Sequence, residues 1–241
     1  MNLDDLRAAI HPAERSPEIL AKALRANGML LLRAALTPKQ IEDWQHFTAI
    51  AYEVWDNGHP KDRPAESLPL TALFAPESHA AGRREFGRLC LDARFMDLLR
   101  LYFGELPFVR DGSAAFRRLS RPVKLSGNLP VEPAPPANQL TLWLPFMASG
   151  GKQLGYEVPW QTGYWRPDMR PGDALILTPE RPPRVAGPPA AQGPLLLDGP
   201  ILGAEIHLIG NSARRPDLGN LIALGHFPNF RMETGFDRER P

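Results

Sequence analysis

Helical patterning before the midpoint and many short strand-like runs after it predict an α+β chain whose second half is a jelly roll. Three observations carry this. Up to Gly104 apolar residues recur at helical spacing, and beyond it they fall into short runs separated by turn residues. The 27 prolines gather at 130–136, 159–194 and the tail, where a residue without a backbone donor suits connections and not strands. The 241 residues are expected to form one domain: a mainly helical part at 1–104, a jelly-roll core at 105–230 and a tail at 231–241.

In chain order, Ser16-Pro-Glu opens a helix, with Ser at the cap and Pro17 in the first turn, and Gly28 closes it. Met29-Leu-Leu-Leu-Arg33 is a short apolar strand. Thr37-Pro-Lys-Gln40 is a capping box, and the helix it starts carries Ile41, Trp44, Phe47, Ala51 and Val54 on one face. Residues 56–76 are polar, proline-bearing and read as loop. A second helical block spans about 79–103, with Asp92 as a cap and Phe95, Leu98, Leu99 and Tyr102 as its stripe. The strand runs that follow are 107–110, 115–118, 139–146, 155–158, 174–177, 195–197, 204–209 and 221–227.

Composition excludes several function classes. The 28 Lys and Arg balance 27 Asp and Glu without a basic stripe, so nucleic acid is not an expected partner. Cys90 stands alone, which rules out a disulfide framework within the chain and fits a reducing compartment. No apolar run reaches membrane-spanning length. The start is acidic where a secretory signal is basic and then apolar. A cytoplasmic location is the expectation.

Three segments occur in a telling order: Leu140-Thr-Leu-Trp-Leu-Pro-Phe146, Leu154-Gly-Tyr-Glu-Val-Pro159 and Pro171-Gly-Asp-Ala-Leu-Ile-Leu177. Upstream stand Leu24-Arg-Ala-Asn-Gly-Met-Leu-Leu-Leu32 and Leu36-Thr-Pro-Lys-Gln-Ile-Glu-Asp-Trp44. From Ser16 to Ile209 this text resembles the phytanoyl-CoA-dioxygenase-like oxygenases. The resemblance implies a double-stranded β-helix, cupin-like, with the N-terminal helices outside. It implies Fe(II) held by a His-x-Asp pair and a distal histidine, leaving positions for 2-oxoglutarate and oxygen. It also implies an arginine clamp on the 2-oxoglutarate carboxylate, and it sets Trp143 beside the cosubstrate pocket, although a core aromatic is the alternative for that residue.

The metal residues depart from that pattern. No histidine lies between His79 and His207. Asn128-Leu-Pro130 falls where His-x-Asp belongs, and Pro183-Arg184-Val185 stands where the family has His-Arg-Val. No arginine lies between Arg184 and Arg214, the stretch that should supply the clamp. The expected ligand pocket is thus Asn128, Trp143, Pro183 and Arg184, with no metal ligand and no cofactor. Fe(II) and 2-oxoglutarate return only if the ligands are displaced.

Glu205 and His207 are the remaining chemical pair. Two apart on a strand, they share a face, and His226 could join them from the next strand. They are the expected catalytic residues if chemistry survives. Ala204, Ile206 and Leu208 form the apolar set of the same strand, so its alternation predicts Glu205 and His207 outward, on solvent. Tyr156, Trp160, Tyr164 and Trp165 either rim a pocket or cover the sheet, with covering favoured. The expected function is a repurposed relative without oxygenase activity, binding a small organic ligand or supporting a partner enzyme. The alternatives are a non-haem Fe(II)/2-oxoglutarate oxygenase with displaced ligands, and a metal-free isomerase or cyclase using Glu205 and His207.

Overall fold

The computed structural model describes residues 9–58, 67–69, 93–118, 138–146, 155–160, 163–165, 167–179, 184–186, 201–213, 221–223 and 231–233. Helix α1 (Pro17–Asn27) has proline in its first turn and ends at Gly28, whose φ of 65° lets its N–H reach the Leu24 carbonyl at 2.8 Å. Ser16 occupies the cap position, yet its hydroxyl makes no capping hydrogen bond. At α2 (Pro38–Gly58) the capping box forms: the Gln40 N–H donates to Thr37 Oγ1, and the Thr37 N–H donates to Gln40 Oε1 at 2.8 Å. Helix α3 (Ala93–Phe103) follows, and Asp92 lies outside the described residues.

The strands are β1 (Ile10–Pro12), β2 (Met29–Arg33), β3 (Ser67–Pro69), β4 (Pro107–Arg118), β5 (Gln139–Pro145), β6 (Gly155–Trp160), β7 (Gly163–Trp165), β8 (Ala174–Leu177), β9 (Arg184–Ala186), β10 (Ile201–Gly210), β11 (Leu221–Ala223) and β12 (Arg231–Glu233). The larger sheet runs β1-β2-β8-β5-β10-β4-β11-β12, with β3 also on β4. A smaller sheet runs β7-β6-β9. Strands β1 and β3 escaped the sequence reading because each is three residues long, contains proline and pairs with a single neighbour. Asp111-Gly-Ser113, read as a break, lies inside β4 as an irregularity. From Glu205 to His207 β10 advances two residues, while β4 advances five, from Arg110 to Ala115. The run at 195–197 lies outside the described residues.

Both faces of the larger sheet are covered. On one, Ala204, Ile206 and Leu208 stand in register with Leu144, Leu142 and Leu140. They join Leu30, Leu32, Ala174 and Ile176 beneath Leu20, Leu24, Trp44, Leu98 and Leu99 of the helices. The other face carries Met29, Leu31, Trp143, Leu175 and Leu177, which pack with Val158 of the smaller sheet and with Met169. This is the arrangement of a double-stranded β-helix with helices outside one sheet.

Asp173 of the Pro-Gly-Asp turn ties β2 to β8. Its buried carboxylate accepts Arg33 Nη1–H at 2.6 Å and the backbone N–H groups of Ala34 at 3.1 Å and Arg170 at 2.9 Å. A carboxylate so supplied with donors tolerates burial. Gly172 is required beside it: its φ is 98°, and a Cβ there would come within 3.0 Å of the Leu36 carbonyl oxygen.

Candidate functional site

The register fixes where Glu205 and His207 point. Glu205 is opposite Trp143, and Trp143 is opposite Leu175; His207 is opposite Thr141, and Thr141 is opposite Leu177. Opposed residues of paired strands share a face, so both side chains project onto the inner face, between the two sheets. The outward, solvent-facing orientation expected from the alternation is overturned. The apolar set Ala204, Ile206 and Leu208 is the one the helices cover, and the polar set lies inside the barrel. Alternation separates two faces without saying which of them meets water, and here neither is a plain solvent face.

Burial is deep but not complete. Glu205 is 8% exposed as a residue, and the side chains of Glu205 and His207 are 11% and 15% exposed. His207 Nε2 lies 2.9 Å from Glu205 Oε1, and its Nδ1 lies 3.0 Å from Gln139 Nε2. An amide nitrogen only donates, so in this arrangement Nδ1 is the acceptor and the proton sits on Nε2, directed at the carboxylate. A buried carboxylate without such donors is strongly unfavourable. Gln139 is itself buried, and its Oε1 makes no hydrogen bond. Within the described parts of β5 and β10, only Thr141 and His207 escape full burial, and they are register partners. Solvent therefore reaches the inner face at the imidazole.

Trp143 bounds the site on one side. Its ring lies across the backbone of Gly203: a Cβ there would stand 2.7 and 2.8 Å from ring carbons of Trp143 and would also strike the Leu144 carbonyl. Trp143 is 3% exposed and belongs to the inner apolar cluster, so it is at once a core aromatic and a wall of the interior. Of the other expected pocket residues, Asn128 and Pro183 lie outside the described residues, as does His226, and Arg184 contributes backbone to β9 opposite Glu157. Tyr164 is exposed, while Trp165 packs partly buried on the inner cluster.

Gln139 was missed by the sequence reading. One glutamine at the head of a strand has no pattern of its own; the available signal was its place in the row Gln139, Thr141, Trp143, which shares the face of Glu205 and His207. Among the described residues no group of three His, Cys, Asp or Glu side chains could hold a metal ion, and no helix is long and apolar enough to cross a membrane. A separate cleft of about 800 Å³, lined by residues including Arg33, Ile41, Gln45 and Arg170, opens beside the Asp173 turn.

No family model and no curated protein sequence matches the chain. Solved structures do. EctD from S. alaskensis, with 2-oxoglutarate and 5-hydroxyectoine, is 13% identical and superposes with a TM-score of 0.59 over 95% of this chain and 83% of its own. HygX from Streptomyces hygroscopicus, with nickel and 2-oxoglutarate bound, is 12% identical with a TM-score of 0.53 over 82% and 91%. The epimerase SnoN, in complex with Fe3+, alpha ketoglutarate and nogalamycin RO, is 11% identical with a TM-score of 0.51 over 80% and 83%. The chain thus shares the double-stranded β-helix fold of these structures.

The expectation that the chain takes no cofactor is corrected by these structures, in which the same fold carries iron or nickel together with 2-oxoglutarate. That expectation rested on ligands missing at three positions of the sequence. A barrel points side chains inward from many strands, and β10 supplies a carboxylate and an imidazole of its own.

The pair can be tested against such a group. Two ligand atoms about 2.1 Å from one ion and at right angles to each other stand about 3 Å apart, and Nε2 and Oε1 are separated by 2.9 Å. The 2.9 Å separation is that of an N–H···O hydrogen bond, so the pair offers the ligand types of histidine–carboxylate iron sites but would have to open to hold an ion between them. Among the described residues no third His, Cys, Asp or Glu side chain completes a metal-holding group with the pair.

Proposed function

We propose that this chain is a divergent phytanoyl-CoA-dioxygenase-like protein whose iron and 2-oxoglutarate site is displaced onto β10, with Glu205 and His207 as two of its metal ligands. The observation that carries the reading is the inward, solvent-accessible Glu205–His207 pair opposite Trp143 and Thr141. The order of sequence motifs from Ser16 to Ile209 supports the family; the solved structures support the wider superfamily.

When bound, Fe(II) with 2-oxoglutarate would activate dioxygen, the oxidant, towards a small organic substrate. The chain's own residues do the rest. Glu205 brings the negative charge that favours a cation, and His207 brings a neutral nitrogen once its Nε2 proton leaves. Trp143 and the inner apolar cluster exclude water from one flank, and Gly203 leaves room for the tryptophan ring. Thr141 and His207 mark the side from which substrate enters.

The test is an anaerobic titration with Fe(II) and 2-oxoglutarate. A metal-to-ligand charge-transfer band, lost in both Glu205→Gln and His207→Ala, is the expected result. A band that survives both substitutions would move the site elsewhere in the barrel. A silent titration would return the chain to the small-ligand-binding or partner-supporting role.

A further inference from the structure

We propose that the cleft beside the Asp173 turn is a second binding site, separate from the Glu205–His207 pair, and that it takes a small apolar monocarboxylate. The inference does not depend on the metal reading of the pair. The cleft's volume of about 800 Å³ lies within the range of small-molecule sites. Register sets it apart from the pair. Arg33 and Asp173 continue β2 and β8 past their last paired residues, Leu32 and Ala174. Glu205 and His207 stand on β10, three places from β2 in the order β2-β8-β5-β10. Three strand spacings make roughly 14 Å.

The head of the site is a guanidinium fixed by one nitrogen. Arg33 Nη1 donates to Asp173 Oδ2 and to the Asp168 carbonyl oxygen, each at 2.6 Å. An arginine has five N–H donors in one plane, so Nε and Nη2 keep three. The Arg33 side chain is 39% exposed where that of Asp173 is 7%, and it lines the cleft. Its remaining edge is thus a held fork of the kind that grips a carboxylate. Arg170, on the same lining, is exposed, and among the described residues only its backbone N–H is engaged, by Asp173. Asp173 balances the charge of Arg33, and Asp168 also borders the cleft. That balance leaves donors for one carboxylate and too little positive charge for a multiply charged anion such as phosphate.

The body of the ligand is set by Leu36, Pro38 and Ile41, the apolar part of the lining. These walls are tied together without a ligand. The Leu36 N–H donates to the Gly172 carbonyl at 2.9 Å, and Gln45 Nε2–H donates to the Phe146 carbonyl at 2.9 Å. Ala34 holds a φ of 53°, uncommon for a residue with a side chain, and its N–H donates to Asp173. A preformed cleft spends little on ordering when it binds. A purely structural role for Arg33 accounts for Nη1 alone, and gives Arg170 and the apolar lining nothing to do.

The experiment is a titration of the full, metal-free chain, read by backbone amide NMR, with hexanoate, hexanol and inorganic phosphate as probes. Hexanoate should give saturable shifts at Ala34, Leu36, Gln45 and Arg170 and leave Glu205 and His207 unmoved. Arg170→Glu leaves the Asp173 hub intact and should weaken hexanoate about 10-fold or more, with an unchanged unfolding curve. Arg33→Lys keeps a charge beside Asp173 but loses the fork, and should weaken it similarly. Hexanol binding as well as hexanoate would overturn the proposal, and so would phosphate binding more tightly. Shifts centred on Glu205 and His207, or none that saturates, would do the same. Undiminished hexanoate binding in either folded variant also refutes it; should Arg33→Lys not fold, Arg170→Glu decides alone.

Discussion

The two faces of the larger sheet are built from the same strands and buried to similar depth, yet they differ in kind. The helix-covered face is apolar from Leu30 and Leu32 across Ile176 and Leu142 to Ile206. The inner face begins the same way, with Met29, Leu31, Leu175 and Leu177, and turns polar as it reaches β5 and β10, where Gln139, Thr141, Glu205 and His207 stand. One face maximises contact. The other accepts a buried carboxylate, which folding alone does not favour. A polar group retained where an apolar residue would fit marks the face that does chemistry, as a hypothesis the substitutions below can break.

The largest effect belongs to the apolar face. Leu142→Ala removes a side chain 2% exposed beneath the helices and should cost about 2–5 kcal/mol, measured by denaturant unfolding. Metal uptake should survive in the folded fraction, because Leu142 points away from the pair. Loss of Zn(II) binding in protein that remains folded would show that the faces are not independent. His207→Ala comes next. It should cost about 2–3 kcal/mol, the scale of a hydrogen bond to a charged group together with the carboxylate left behind, and it should abolish Zn(II) binding. A change within about 0.5 kcal/mol, as at an open surface site, would restore the outward orientation and end the functional reading.

Gly203→Ala tests the wall of the site. The added methyl would meet the Trp143 ring and the Leu144 carbonyl, and overpacking of this sort costs about 1–3 kcal/mol. The near-UV circular dichroism of the tryptophans should change with it. A stable variant with an unchanged spectrum would mean that the ring has room to move and does not define the interior.

Much of this was legible in the sequence, and the misses have physical causes. Gly28 and the Thr37 box mark helix ends through local hydrogen-bonding rules, so they read correctly from a few residues. Strands β5, β8 and β10 read correctly because their apolar content is dense. Edge strands β1 and β3 are defined by the partner they lie against, which is remote in sequence. The same holds for the face of Glu205 and His207. Their pairing was visible from spacing, but their direction depends on which side the helices pack, information held by residues more than a hundred positions away. Gln139 and the hub at Asp173 are likewise contacts across the chain, from Gln139 to His207 and from Arg33 to Asp173.

The smallest expected effect is the most discriminating between the faces. Thr141 stands between Gln139 and Trp143 on the inner side, opposite His207, and is only partly buried while its neighbours on β5 are fully so. If water reaches the inner face there, its hydroxyl is hydrated in the folded state as in the unfolded one. Thr141→Val should then change stability by no more than about 0.5 kcal/mol and leave Zn(II) affinity alone. If the inner face is instead sealed like the outer one, the hydroxyl is a buried group without a good partner, and valine should stabilise the fold by about 1 kcal/mol or more. A chemical unfolding curve separates the two. Stabilisation would close the route to His207 from solvent, and a catalytic role for the pair would have to be abandoned even if its geometry were correct.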